Sequence, residues 1–101
     1  MENKLELTDT EITNHLRNLD GWSRENQYIK KCFIFSSYKE INKFLPYLTK
    51  TIVTQNHHPD FSFDSGRKSV TIQVTTHSAK RITKSDIDLA DALNRWSEGN
   101  D

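Results

Sequence analysis

Apolar positions recur at two different periods along this chain, and the changes of period divide it into elements. Ile12, Leu16 and Leu19 recur at helical spacing. Thr8 and Glu11 precede them in the pattern of a capping box, and Gly21 follows where a C-cap glycine would sit. The spacing predicts a first helix over about Thr8–Asp20. Trp22 then begins a short strand, and Glu25-Asn26 turns the chain. Tyr28–Phe35 reads as a second strand with Ile29, Phe33 and Phe35 on one face. Lys31 interrupts that face, which points to an edge or partly exposed position.

Ser37 and Glu40 repeat the capping spacing ahead of a longer helical stripe: Tyr38, Ile41, Leu45, Leu48 and Ile52, widened by Phe44 and Tyr47. That is more apolar surface than one face of a small sheet needs. It suits a deep core helix, or one that also meets a partner subunit. Pro46 inside the stripe removes a backbone hydrogen bond and should kink the helix. Phe61 and Phe63 alternate in a short strand, and Asp64-Ser65-Gly66 signals a turn. Val70, Ile72 and Val74 alternate with Thr71, Gln73 and Thr75 in the clearest strand of the chain, which His77 ends on the parity of the polar face. Thr83 and Asp86 give a third capping pattern, with Ile82 placed as a hydrophobic staple. Ile87, Ala90, Leu93 and Trp96 form the last stripe. The order α-β-β-α-β-β-α predicts an α+β fold, a four-stranded antiparallel sheet with the helices packed on one face.

Composition narrows the class. The 101 residues make one domain, 1–101, whose first seven residues read as an extended or frayed lead-in. Aromatic content of 10% argues for a folded chain. Fourteen basic residues balance fourteen acidic ones, so no direct contact with nucleic acid is expected, and Lys80-Arg81 with Lys84 reads as a solvated turn. The lone Cys32, in an apolar-alternating run, reads as a buried inert thiol and suits a reducing cytosol. Met1-Glu2-Asn3-Lys4 leads into no apolar stretch, and no run is long enough for a membrane span. The expected location is cytoplasmic, without a membrane partner.

The chemistry gathers in two segments. Three of the chain's four histidines lie in Asn56-His57-His58-Pro59-Asp60 and Thr75-Thr76-His77. Imidazole titrates near neutrality and can both give and take a proton. Three of them in polar surroundings, beside a proline that disfavours a helical His58, point to a site. His15, on the polar face of the first helix, reads as structural. Zinc is disfavoured because adjacent histidines seldom both reach one metal and no Cys or Glu has ligand spacing to them. There is no Ser/His/Asp nucleophile motif and no Gly-rich phosphate loop.

These segments, with Leu19-Asp20-Gly21-Trp22, Phe33-Ile34-Phe35, Thr75-Thr76-His77-Ser78-Ala79 and Ile82-Thr83…Asp86-Ile87…Leu89-Ala90, resemble in order the pterin-4a-carbinolamine dehydratase family. The resemblance covers nearly the whole chain. It implies a hydro-lyase without metal or other cofactor that dehydrates 4a-hydroxy-tetrahydropterin to quinonoid dihydropterin in tetrahydrobiopterin recycling. It implies His57 and His77 as the acid/base pair, with His58 positioning the substrate or sharing the proton work. Pro59, Asp60, Thr76 and Asp86 are implied on the substrate side, Asp86 orienting a histidine or a substrate hydrogen bond. It also implies a homodimer or homotetramer, joined through edge strands and the second helix. Three positions depart from the family pattern: Val53 stands where many members are acidic, extra residues occupy the 64–66 hairpin, and Lys80-Arg81 replaces a usual glycine pair. The family also contains non-catalytic relatives, a dimerisation cofactor and assembly chaperones, so a second reading places the function on the surface of helix two. An open cleft between His57 and His77 would favour the enzyme, and a cleft filled by side chains the non-catalytic relative.

Overall fold

The computed structural model describes residues 4–96. In chain order the elements are α1 (Asp9–Leu16), β1 (Ser23–Glu25), β2 (Tyr28–Ile34), α2 (Tyr38–Gln55), β3 (Asp60–Asp64), β4 (Ser69–Val74) and α3 (Lys84–Asn94). The strands form one antiparallel sheet in the order β1-β2-β4-β3. The expected α+β architecture is the one observed.

The register explains which side chains go inside. Phe33 lies opposite Val70, Lys31 opposite Ile72 and Ile29 opposite Val74. These residues share the helix-covered face, where Ile29, Val70, Ile72 and Val74 are buried. Cys32 therefore belongs with Lys30 and Ile34 on the opposite, uncovered face, and it is exposed. This corrects the expectation of a buried thiol: the period was right, but the face of Cys32 follows from Ile29 and Phe33 on either side of it in parity. Lys31 is not on an edge strand, since β2 is interior. Its stem crosses the core face, its Nζ lies 4.4 Å from the Phe33 ring centroid, and it donates to Asp20 O and to Asn94 Oδ1, both at 2.9 Å. Burial pushes its pKa down.

Helix α2 runs unbroken through Pro46. Its buried stripe is Ile41, Phe44, Leu48 and Thr51, while Leu45 and Ile52 are half-buried and Tyr38 is exposed. The expected stripe and the observed one share Ile41, Leu48 and the widening Phe44. Periodicity cannot choose between them; contact with the sheet does. Phe44 is fully buried, with ring centroids 5.0 Å from both Phe33 and Phe35 and 5.2 Å from Trp96. At the N-terminus of α2, Ser37 Oγ accepts from Glu40 N at 3.2 Å, but the Glu40 carboxylate reaches Ser36 rather than Ser37.

Helix α1 stops at Leu16, short of the expected Asp20. Its N-terminal capping box of Thr8 and Glu11 forms as expected. Beyond Leu16, bonds from Asn18 N to His15 O and Leu19 N to Leu16 O tighten the chain into turns. Gly21 is not a helix cap. It holds a left-handed φ of +84°, and a Cβ there would lie 2.7 Å from Lys31 Cε. The lead-in is extended and pinned from Leu5 onward: Glu6 bridges Thr83, and Lys84 N donates to Leu5 O at 2.8 Å.

Phe44→Ala should destabilise the fold by about 3–5 kcal/mol, the range for emptying a buried aromatic site. Chemical denaturation of wild type and variant would measure it.

Candidate active site

The two histidine segments are delivered by the ends of α2 and β4. At the end of α2, Asn56 takes a left-handed conformation (φ 53°, ψ 43°). Asn56 N and His57 N close the helix onto Val53 O and Ile52 O at 3.2 and 3.4 Å. The reversal leaves His57 buried and the next residue, His58, exposed. Pro59 then leads into β3.

Strand β4 ends at Val74, short of His77. Thr76 makes an isolated bridge with Arg81, and the turn between them is closed by Ala79 N to Thr76 O at 3.1 Å and Lys80 N to His77 O at 3.2 Å. His77 stands exposed on this turn. Lys80 holds φ +55°, a left-handed conformation that glycine adopts without strain and a lysine does not.

The start of α3 lies beneath. Asp86 is fully buried. Its Oδ1 lies 2.6 Å from His57 Nε2, and its Oδ2 accepts from Thr76 Oγ1 and Thr83 N, each at 2.8 Å. Above it opens a cavity of about 150 Å³ lined by His57, His58, Thr75, Thr76, His77 and Ser78. The histidines that the sequence separates by about twenty residues thus line one cavity.

Four of the expected site residues, His57, His58, His77 and Thr76, line this cavity. Asp86 is not among its lining residues: it lies behind His57, within hydrogen-bond distance of the ring. Asp60 also lies elsewhere. It pairs with Gln73 on the uncovered face of the sheet and lines a separate depression with Phe61, Ser62, Thr71 and Gln73. Its register opposite Gln73 sets that face, so the structure does not bring Asp60 to the cavity that the histidines line. Pro59 is half-buried and is not among the cavity's lining residues. Thr75 and Ser78, which line the cavity, were not singled out individually, although both flank the Thr76-His77 pair. Among the described residues, no three His, Cys, Asp or Glu side chains are placed to hold a metal ion.

What this arrangement can do is proton transfer. Imidazoles face an open cavity, and a buried carboxylate fixes one of them from behind. Such a carboxylate stabilises the imidazolium and sets the ring orientation.

The sequence model of the family described as "Pterin 4 alpha carbinolamine dehydratase" matches residues 5–96. A protein of Sulfurisphaera tokodaii named "Putative pterin-4-alpha-carbinolamine dehydratase" is 38% identical over 84 residues, 83% of this chain and 88% of that one. A protein of the same name from Sulfolobus acidocaldarius is 32% identical over 91 residues, 90% of this chain and 98% of that one. The crystal structure of a "transcriptional coactivator/pterin dehydratase" from Brucella melitensis superposes with a TM-score of 0.81 at 27% identity, covering 88% of this chain and 95% of the other. A pterin dehydratase-like protein identified as a RuBisCO assembly factor in the alpha-carboxysome shares the fold, with a TM-score of 0.57 at 21% identity over 75% of this chain and 89% of that one. The chain belongs to the pterin-4a-carbinolamine dehydratase family.

Relieving the left-handed lysine should be measurable. Lys80→Gly is expected to stabilise the protein by about 0.5–1 kcal/mol, the αL penalty less the extra chain entropy of glycine. Lys80→Ala, which keeps the strain, should give no gain. Thermal melts of the two variants compare them directly.

Proposed function

We propose that this cavity dehydrates a 4a-hydroxy-tetrahydropterin to the quinonoid dihydropterin. The observation that carries the proposal is that His57, His58 and His77 line one open cavity, with His57 backed by the buried Asp86. The reaction breaks the C4a–O bond and forms the C4a–N5 double bond. The hydroxyl needs a proton to leave as water, and N5 must give up its proton as the double bond forms. One imidazolium and one neutral imidazole meet both needs. His57 and His77 are the pair proposed for these roles. Asp86 supports His57 in either one, because each puts positive charge on the ring at some point in the cycle. His58 at the cavity wall positions the substrate or shares the proton work. No metal or other cofactor enters this scheme.

A second reading, a non-catalytic protein acting through the surface of α2, draws on Val53, which is 78% exposed where many family members are acidic. The open cavity favours the enzyme, since a remnant site would be filled by side chains. Self-association fits either reading. Strand β3 is an edge strand, and its Phe61 and Phe63 are 45% and 47% exposed on the helix side of the sheet, which supports a second copy of this chain as a partner.

The test is dehydration of chemically generated 4a-hydroxy-tetrahydropterin, followed by ultraviolet absorbance. Wild type should exceed the buffer rate, and His57→Ala and His77→Ala should each lose at least about tenfold, since positioned acid–base groups contribute 10²–10⁴-fold. A wild type no faster than buffer would refute the dehydratase and leave the α2 reading.

A further inference from the structure

The buried end of the site holds more hydroxyls than a helix cap needs. Thr83 and Asp86 alone supply the capping partners at the start of α3. Two more hydroxyls join them: Thr76, from the end of β4, and Ser85, on the first turn of α3. All three hydroxyl residues are buried, Ser85 at 2%, Thr83 at 0% and Thr76 at 1% exposure. Thr76 Oγ1 lies 2.6 Å from Thr83 Oγ1 and 3.2 Å from Ser85 Oγ, and Thr83 Oγ1 lies 2.8 Å from Ser85 Oγ.

Counting protons gives the cluster a direction. Thr83 N can only donate, and it donates to Asp86 Oδ2. An ionised carboxylate only accepts, so Thr76 also donates to Oδ2. Thr76 Oγ1 must then accept its other bond, and the shorter contact assigns the donor as Thr83. Thr83 Oγ1 in turn accepts from Ser85. The chain runs Ser85 to Thr83 to Thr76 to Asp86, every hydroxyl proton pointing toward the carboxylate, and each bond polarises the next. On the other side, Asp86 Oδ1 meets His57 Nε2. A proton on Asp86 Oδ2 would face two donors there, Thr83 N and Thr76, so that oxygen only accepts, and two donated bonds favour the ionised carboxylate that His57 Nε2–H can donate to.

We propose that Ser85, Thr83 and Thr76 are positioning residues that keep Asp86 in its accepting form and so hold the His57 ring proton on Nε2, with the ring fixed at the cavity wall. Ser85, which looks like an ordinary polar residue on a helix, is the far end of this chain. Thr76 acts here through Asp86 and not by binding substrate. The proposal deepens the dehydratase reading and rests on it for its catalytic consequence, but its structural core does not depend on turnover.

The test uses Ser85→Ala and Thr76→Val in the full chain, with two readouts. Long-range ¹⁵N–¹H spectra report the tautomer of His57 and the exchange of its ring proton without any substrate. Wild type should show the Nε2–H form. Thr76→Val should show a mixture of tautomers, and Ser85→Ala faster exchange of the ring proton with water. In the dehydration assay, Ser85→Ala should lower kcat about fivefold with KM unchanged, the equivalent of one net hydrogen bond, and Thr76→Val should lower it further. If wild type proves inactive, the spectra still decide the proposal while the dehydratase reading falls. His57 signals identical to wild type in both variants, with only the melting temperature reduced, would make the cluster a helix cap and overturn the proposal.

Discussion

The carboxylate of Asp86 is the group on which the other parts of the site converge. It is fully buried, and a buried charge without partners is among the most costly features a small domain can carry. Its partners come from three places in the chain. His57 is 29 residues away at the end of α2, Thr76 is 10 residues away beyond β4, and Thr83 lies on its own capping turn. The carboxylate is satisfied only when all three have docked. Breaking such a cluster by removing one partner costs about 3–5 kcal/mol, a large share of the roughly 5–15 kcal/mol that holds a domain together. The group that orients the candidate catalytic histidine therefore also reports that the fold is complete.

The apolar core is what brings these ends together. Strand β4 sits between β2 and β3, so both its neighbours fix its register and hence the place where Thr76 leaves the sheet. Helix α2 is held over the sheet by Phe44 and Leu48, both fully buried, and its left-handed Asn56 converts that fixed axis into a fixed position for His57. Helix α3 presses Leu89, Ala90 and Leu93 into the same core. Each element delivers one end to the site, and none of the three can shift without moving a partner of Asp86.

Much of this was legible in the sequence, for identifiable reasons. Capping pairs and a change of apolar period mark element type locally, so the order of helices and strands could be read without tertiary information. The histidines stood out because they are few and clustered. What failed needed information from across the fold. Helix α1 was drawn too long because Leu19 keeps helical spacing and is indeed buried, but it gets there through turns and not through another turn of helix. In α2, Leu45 and Phe44 fit the same apolar period, and only contact with the sheet makes Phe44 the fully buried one. The resemblance implies Asp60 on the substrate side, whereas strand parity carries its side chain to the uncovered face. Ser85 carried a faint signal: a serine next to a capping Asp, with threonines at positions 76 and 83. Only the approach of β4 to the start of α3 reveals that the hydroxyls meet.

The turn that carries His77 divides strain and tethering between two neighbouring residues. Where the resemblance to the family implies a glycine pair, this chain has Lys80-Arg81. Lys80 takes the left-handed backbone that glycine would adopt freely, at a conformational cost of about 1–2 kcal/mol. Arg81 supplies interactions that glycine could not. Its Nη2 donates to Leu7 O at 3.0 Å and its Nη1 to Glu6 Oε1 at 3.4 Å. It thereby ties the far side of the turn to the N-terminal segment, which is itself bridged to Thr83 and bonded to Lys84 N. The strain falls on the residue bonded to His77 O, and the tether falls on the residue bridged to Thr76. Strain at Lys80 and the tether through Arg81 together hold the turn on which His77 stands, and with it one side of the cavity.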